Sequence, residues 1–227
     1  MGVFFACFPK DQALPEVRRM LIIPIALFLA VLLLLIGVAI GRFLLFQKNL
    51  GEALVAETIA NEFPNPHVLL NNVTLEIADG TTQIDHILVA DTGIFVIETK
   101  HYRGWIFGSP GASHWTQVIY QHKSKFQNPI RQNYGHVKAL QSLFNLPDSA
   151  FFSIVVFTGD AEFKSDLGPT VFKLGEFVTH LSADRPVLFD ERKMAYIVGR
   201  IEMKRLRRSL ETDEYHLSSV QERLRRR

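Results

Sequence analysis

Asp85, Glu98 and Lys100 are the residues of this chain whose types and spacing could do chemistry together. Asp85 lies in Gln83-Ile84-Asp85-His86, and the other two lie in Phe95-Val96-Ile97-Glu98-Thr99-Lys100. Both stretches read as strands, with Asp91-Thr92-Gly93 as the turn between them. Side chains alternate along a strand, so Glu98 and Lys100 point to one face. Two carboxylates on neighbouring strands can share a hard divalent cation, Mg²⁺ (or Mn²⁺), and the backbone carbonyl of Thr99 offers a further oxygen ligand. Such an ion polarises a phosphate oxygen, activates a water and neutralises the leaving oxygen. The lysine can stabilise the developing negative charge or orient the attacking water. The chemistry available is phosphodiester hydrolysis. The plainer reading is a strand-end salt bridge between Glu98 and Lys100, with Asp85 capping the turn.

Several elements must position this trio. Leu50 to Phe63 has helical spacing, with Val55, Ile59 and Phe63 on one stripe. Glu52 falls on that stripe, and a carboxylate on a buried face is costly unless paired or bound to a metal. It could therefore bind metal or position Lys100. Pro64-Asn65-Pro66 ends the helix. His67 to Ile77 reads as a strand, Asp79-Gly80 as a hairpin turn, and Gln83 to Ala90 as a second strand. Gly93 to Lys100 is the third, and its run Ile94-Phe95-Val96-Ile97, apolar on both faces, suits the centre of a sheet. A loop rich in Gly and aromatics follows, then a short strand near Thr116 to Gln121. Asn128-Pro129 starts a helix, with Asn as cap and Pro at the first helical position. That helix runs to about Phe144, and Gln132 and His136, four apart, share a face of it. Phe151 to Thr158 reads as another apolar strand. Val171 to Val187 suggests a short strand and a helix, and the chain from Glu191 reads as helical and basic.

In this order (helix Glu, strand Asp, Glu-x-Lys, helix Gln) the residues resemble the PD-(D/E)xK nuclease superfamily, and more closely the NERD (nuclease-related) domain. The matching residues are Gly51-Glu52, Gln83-Ile84-Asp85-His86, Gly93 to Lys100, Gly104, Trp115, and Asn128-Pro129 with Gln132-Asn133 and His136. The resemblance covers about Leu50 to Gly159. Ile84 stands where the superfamily name has a proline. The resemblance implies an α/β restriction-endonuclease-like fold, a mixed central sheet flanked by helices. It implies that Asp85 and Glu98 bind metal, Lys100 is the catalytic lysine, Glu52 is the first-helix acid, and Gln132 lies near the substrate backbone. The implied substrate is DNA, with RNA as the alternative. The competing expectation is a non-catalytic nucleic-acid-binding or protein-interaction module that kept the fold.

The 227 residues carry a net charge of +2, unevenly placed: residues 192–227 hold eleven Lys/Arg against five Asp/Glu. Cys7 is the sole cysteine, which excludes an intramolecular disulfide and a cysteine-based zinc site. Met20 to Gly41 is a run of 22 residues without a charge, enough as a helix to cross roughly 30 Å of hydrocarbon. The run is long for a signal peptide and lacks an Ala-x-Ala cleavage site after it, so a retained anchor in the lipid bilayer is expected. Lys10, Arg18 and Arg19 before it against Arg42 and Lys48 after it give a weak bias toward an outside domain. Access to DNA favours the cytoplasmic side instead. The expected organisation is an N-terminal segment (1–19), a transmembrane helix (20–41), the nuclease-like domain (50–180) and a basic helical tail (190–227).

Lys123 and Lys125 with Arg131 form a basic patch suited to phosphates, or simply a solvated face. Gln132 and His136 join them as candidate substrate contacts. His86 and His101 flank the trio and read more readily as structural than as substrate contacts. Trp105 and Trp115 could stack on bases, but core packing under a loop is the favoured reading. Lys204-Arg205-Leu206-Arg207-Arg208 and Arg225-Arg226-Arg227 could grip DNA or anionic lipid.

Overall fold

The computed structural model describes residues 13–225, with side chains from Leu27 onward except at 44, 47, 48, 210 and 224. Residues 1–12 of the expected N-terminal segment lie outside it, as do Arg226 and Arg227. The chain divides into two compact units, Met1–Gln47 and Lys48–Arg227. Helix α1 (Ala13–Glu62) merges the apolar run and the expected helix from Leu50 into one element. In the first unit its described apolar side chains are exposed, Leu33 by 69% and Phe28 by 66%. Among the described residues no helix is long and apolar enough to cross a membrane. Residues 20–26 of the expected span lie outside those whose side chains are described.

The second unit is a mixed α/β structure with two sheets flanked by helices. Its five-stranded sheet has the order β1 (His67–Ile77), β2 (Gly80–Ala90), β3 (Gly93–Lys100), β7 (Phe151–Phe157), β9 (Val171–Lys173). The first three strands are an antiparallel meander; β7 pairs parallel to β3, and β9 parallel to β7. A parallel pair needs a long crossover. Here the crossover carries three of the four strands of a second sheet and helix α2 (Pro129–Gln141). That second sheet has the order β6 (His122–Gln127), β5 (His114–Ile119), β4 (Gly104–Phe107), β8 (Ala161–Phe163). As the apolar run suggested, β3 is central, and Ile94, Phe95, Val96 and Ile97 are all fully buried.

Alternation along β3 splits its side chains between two cores. Ile94 and Val96 join Val137 and Leu140 of α2 on one face. Phe95 and Ile97 join Val55 and Ile59 of α1 on the other, together with helix α3 (Phe177–Leu181). Trp115 of β5, fully buried, stacks on Phe157 of β7 with ring centroids 6.4 Å apart, and so welds the second sheet to the first.

The segment from Glu191 is helical, as α4 (Glu191–Lys204) and α5 (Leu210–Arg225), and it belongs to the same compact unit. Met194, Ile197 and Ile201 of α4 enter the core beneath β1 and β2. Arg205 differs from the expected free basic grip. Its guanidinium bonds Glu202 at 2.9 Å and reaches the Asn72 carbonyl at 3.3 Å, so its charge is spent on docking.

Candidate functional site

The site forms where β2 and β3 part. Thr82 contacts α2, Ile84 lies in the core beneath that helix, and Ile87 and Val89 lie there too, so the two-residue alternation slips by one across Asp85–His86. β1 slips in step: Leu70 and then Val73 reach that same core, and Asn72 between them has φ 52. Asn tolerates this left-handed conformation better than most residues. The β2–β3 ladder ends at His86 paired with Ile97. Beyond it, the Thr99 N–H donates to Asp85 Oδ2 at 2.9 Å. The side chain of Asp85 thus takes over from the backbone ladder and is held beside Glu98.

Glu98 and Lys100 share the α2 face of β3, as alternation requires. Lys100 Nζ lies 2.5 Å from Glu98 Oε1 and donates to Gln132 Oε1 at 3.1 Å. The other Glu98 oxygen, Oε2, is 3.2 Å from His136 Nε2. His136 Nδ1 is in turn 2.8 Å from Thr82 Oγ1, so the ring is fixed at both nitrogens. Gln132 and His136 therefore both reach the site, one helical turn apart.

Asp85 and Glu98 are each under 5% exposed. Burial alone would raise the Glu98 carboxyl, but the Lys100 charge and the His136 hydrogen bond outweigh it and bring its pKa down to about 2. Burial works against the Lys100 ammonium as well. The Glu98 carboxylate beside it, with Asp85 adding to the field, holds it above the usual lysine range. Both groups are charged at neutral pH.

Helix α2 is pinned in register by two buried asparagines. Asn128 Oδ1 caps the helix by accepting from the Ile130 N–H at 2.9 Å, and its Nδ2 donates to the Ala112 carbonyl at 2.7 Å. Asn133 Nδ2 donates to the Val96 carbonyl at 2.8 Å and the Ile154 carbonyl at 3.0 Å, tying the helix to β3 and β7. These contacts fix where Gln132 and His136 can reach.

Residues 47–158 match the family model of the nuclease-related domain, NERD. That segment of the chain is a nuclease-related domain. An uncharacterized protein of Bacillus anthracis is 50% identical over 99 residues, which is 43% of this chain and 47% of the relative. The match thus spans about half the length of that relative. No solved structure matches the chain.

Within the nuclease-related domain, Glu52 is buried and comes to this end of the sheet from the face opposite α2. Its neighbour Gly51 makes the approach: a Cβ there would lie 2.7 Å from Thr158 Oγ1 and 2.8 Å from His101 Cβ. His86 Nδ1 bonds Asn71 Oδ1 at 2.7 Å, and His101 Nδ1 bonds Thr158 Oγ1 at 3.0 Å, both structural contacts. Trp115 is core as expected, whereas Trp105 is 48% exposed with Lys164 Nζ over its ring at 4.9 Å. Lys123 and Lys125 are not at the acids. They stand exposed on β6, on the same strand face as Gln127 by alternation.

A cleft of about 320 Å³ adjoins the site, lined by Arg131, Gln132 and His136 of α2 and by Gln83 and Gln127. Its other wall is α5, which lies beyond the nuclease-related segment. Sequence reasoning missed His216 and Arg223 there, although their seven-residue spacing puts them on one helix face. Among the described residues no three His, Cys, Asp or Glu side chains cluster as a metal site. The donor set of Asp85 and Glu98 still suits Mg²⁺, which is commonly held by one or two carboxylates while keeping several waters.

Proposed function

We propose that this chain is a metal-dependent nuclease that hydrolyses phosphodiester bonds of nucleic acid, DNA in the first place. The observation that carries the reading is the convergence of Asp85, Glu98 and Lys100 within a nuclease-related domain, with Gln132 and His136 holding them from α2. Asp85 and Glu98, with the Thr99 carbonyl, would hold Mg²⁺ or Mn²⁺. The ion supplies a Lewis acid and an acidified water. Lys100 stays protonated and offers its charge to the phosphate oxygens as negative charge grows on them. Gln132 orients Lys100, and His136 holds Glu98 from the second oxygen. Glu52 acts as the first-helix acid that steadies this strand end. Arg131, Lys123 and Lys125 contact the strand backbone.

The nuclease-like domain covers 50–180 in this reading, and helices α4 and α5 of the basic segment pack onto it. The uncharged run Met20 to Gly41 would tether it to a lipid bilayer with the domain on the cytoplasmic side, where DNA is accessible. A reporter fused after Arg227 tests the tether; activity only on the outer side would refute this orientation.

The full-length protein in neutral detergent should cut linear DNA with Mg²⁺ and not with EDTA. Asp85→Asn should bind the same DNA without cutting it. A second reading, a non-catalytic binding module, is favoured by one feature: both Glu98 oxygens are already engaged, by Lys100 and by His136. Metal-independent binding with no cleavage would select that reading.

A further inference from the structure

Helix α5 docks through a polar stripe. His216, Ser219, Val220 and Arg223 follow the i, i+3, i+4, i+7 spacing of one helix face. Three of the four converge on a single residue, Thr81. Ser219 Oγ and His216 Nδ1 each lie 2.9 Å from its hydroxyl, and Arg223 Nη2 donates to its carbonyl at 2.7 Å. Gly80 permits the close approach: it has φ 126, and a Cβ there would meet Ser219 Cβ at 2.7 Å. The neighbouring α4 is held by Met194, Ile197 and Ile201 instead. A helix that needed only to be held would bury such apolar groups, because burial of hydrogen-bonded polar groups contributes little net stability.

The same α5 face looks into the cleft beside the acids. His216, Val220 and Arg223 form one wall, and Arg131, Gln132 and His136 form the other. Two arginines thus line a space whose described lining holds no carboxylate. The cleft adjoins the acid–lysine set through two residues that line it, since Gln132 accepts from Lys100 and His136 contacts Glu98. Beyond Gln127 the exposed Lys125 and Lys123 continue along β6.

We propose that α5, which lies outside the nuclease-related segment, completes a phosphate-binding cleft in which Arg223 and Arg131 hold the nucleic-acid backbone next to the bond being cut. This rests on the nuclease reading for what runs through the cleft. The guanidinium fork matches a phosphate geometrically, and each phosphate neutralised releases counterions, which makes binding salt-dependent. Arg223 is a substrate-binding residue with a second role in seating the helix.

The test is DNA binding by the full-length protein in neutral detergent with EDTA, read by fluorescence anisotropy on a labelled linear duplex across a salt series. Arg223→Gln should weaken binding about five- to tenfold and lower the slope of log affinity against log salt by about one. Arg131→Gln on the facing wall, which has no part in docking α5, should lower the slope similarly. Arg223→Lys should keep the slope, whereas a purely structural arginine would make Lys as weak as Gln. Arg192→Gln, at an exposed position of α4, should match wild type. Unchanged affinity and slope in Arg223→Gln and Arg131→Gln, in a protein that cuts DNA, overturns this inference alone. Binding that depends on both arginines without any Mg²⁺-dependent cutting supports the cleft and overturns the nuclease reading. Wild type with no affinity for DNA overturns both.

Discussion

In the five-stranded sheet every residue of β3 from Gly93 to Thr99 is buried, and Asp85 on the next strand is buried with them. In the four-stranded sheet β6 leaves Lys123, Ser124 and Lys125 exposed. The two sheets are welded by Trp115 against Phe157, yet they treat charge in opposite ways. Buried charge is expensive unless paired, so the first sheet brings acid and base together and holds each at two or more points. Exposed charge is cheap and screened, so the second sheet can carry lysines that act only on a nearby polyanion. One sheet is built to do chemistry at a fixed point, the other to attract a chain of phosphates.

The contrast can be broken most forcefully at the acids. Asp85→Asn keeps the size of the side chain but removes its charge and should lower single-turnover DNA cleavage on the order of 1,000-fold; a loss below tenfold would remove Asp85 from the chemistry. Trp115→Ala tests the weld between the sheets. Loss of a fully buried indole should cost about 3–5 kcal/mol in urea unfolding, and a cost under about 1 kcal/mol would mean that the second sheet packs independently.

A third test uses pH. Glu98 is depressed from 4.5 to about 2 in the folded chain. Its contribution to stability is therefore present above pH 4.5 and lost as the pH falls through about 2. Glu98→Gln should flatten the acid limb of a stability-against-pH curve in that window; an unchanged limb would contradict the ion-pair account. Lys100 has the opposite sign, contributing below its unfolded pKa and losing that contribution as pH rises past its folded one. The smallest effect belongs to the second sheet: Lys123→Gln with Lys125→Gln should reduce the salt slope of DNA binding by no more than about two. Loss of binding altogether would mean that these lysines, rather than the cleft, carry the affinity.

Much of the first sheet was legible because its strands are long and apolar and its turns carry Asp-Gly or Thr-Gly. The grouping of the trio and the Asn128 cap followed from residue type and spacing, whereas spacing put Gln132 and His136 only on one helix face and the resemblance to the nuclease-related domain put them with the trio. The second sheet was harder: β4 and β8 are only four and three residues long, and β6, His-Lys-Ser-Lys-Phe-Gln, carries almost no apolar signal because it is an exposed edge. The slip at Asn72 and Asp85 was hidden for another reason. Alternation predicts faces only while a strand stays regular, and here the departure from regularity sets Asp85 against the Thr99 N–H. The α5 wall escaped notice because its inward stripe is polar, and amphipathic reading looks for apolar ones. Trp105 was misjudged as core since an aromatic in a Gly-rich loop gives no hint of which side it faces.

The most direct measurement is single-turnover cleavage of a linear duplex by wild type and Lys100→Met, with Mg²⁺ present and DNA binding measured in the same samples. The account predicts that both proteins bind, that wild type cuts, and that Lys100→Met cuts at least about 1,000-fold more slowly. Equal cutting by the two, or bound wild type that does not cut, would contradict it.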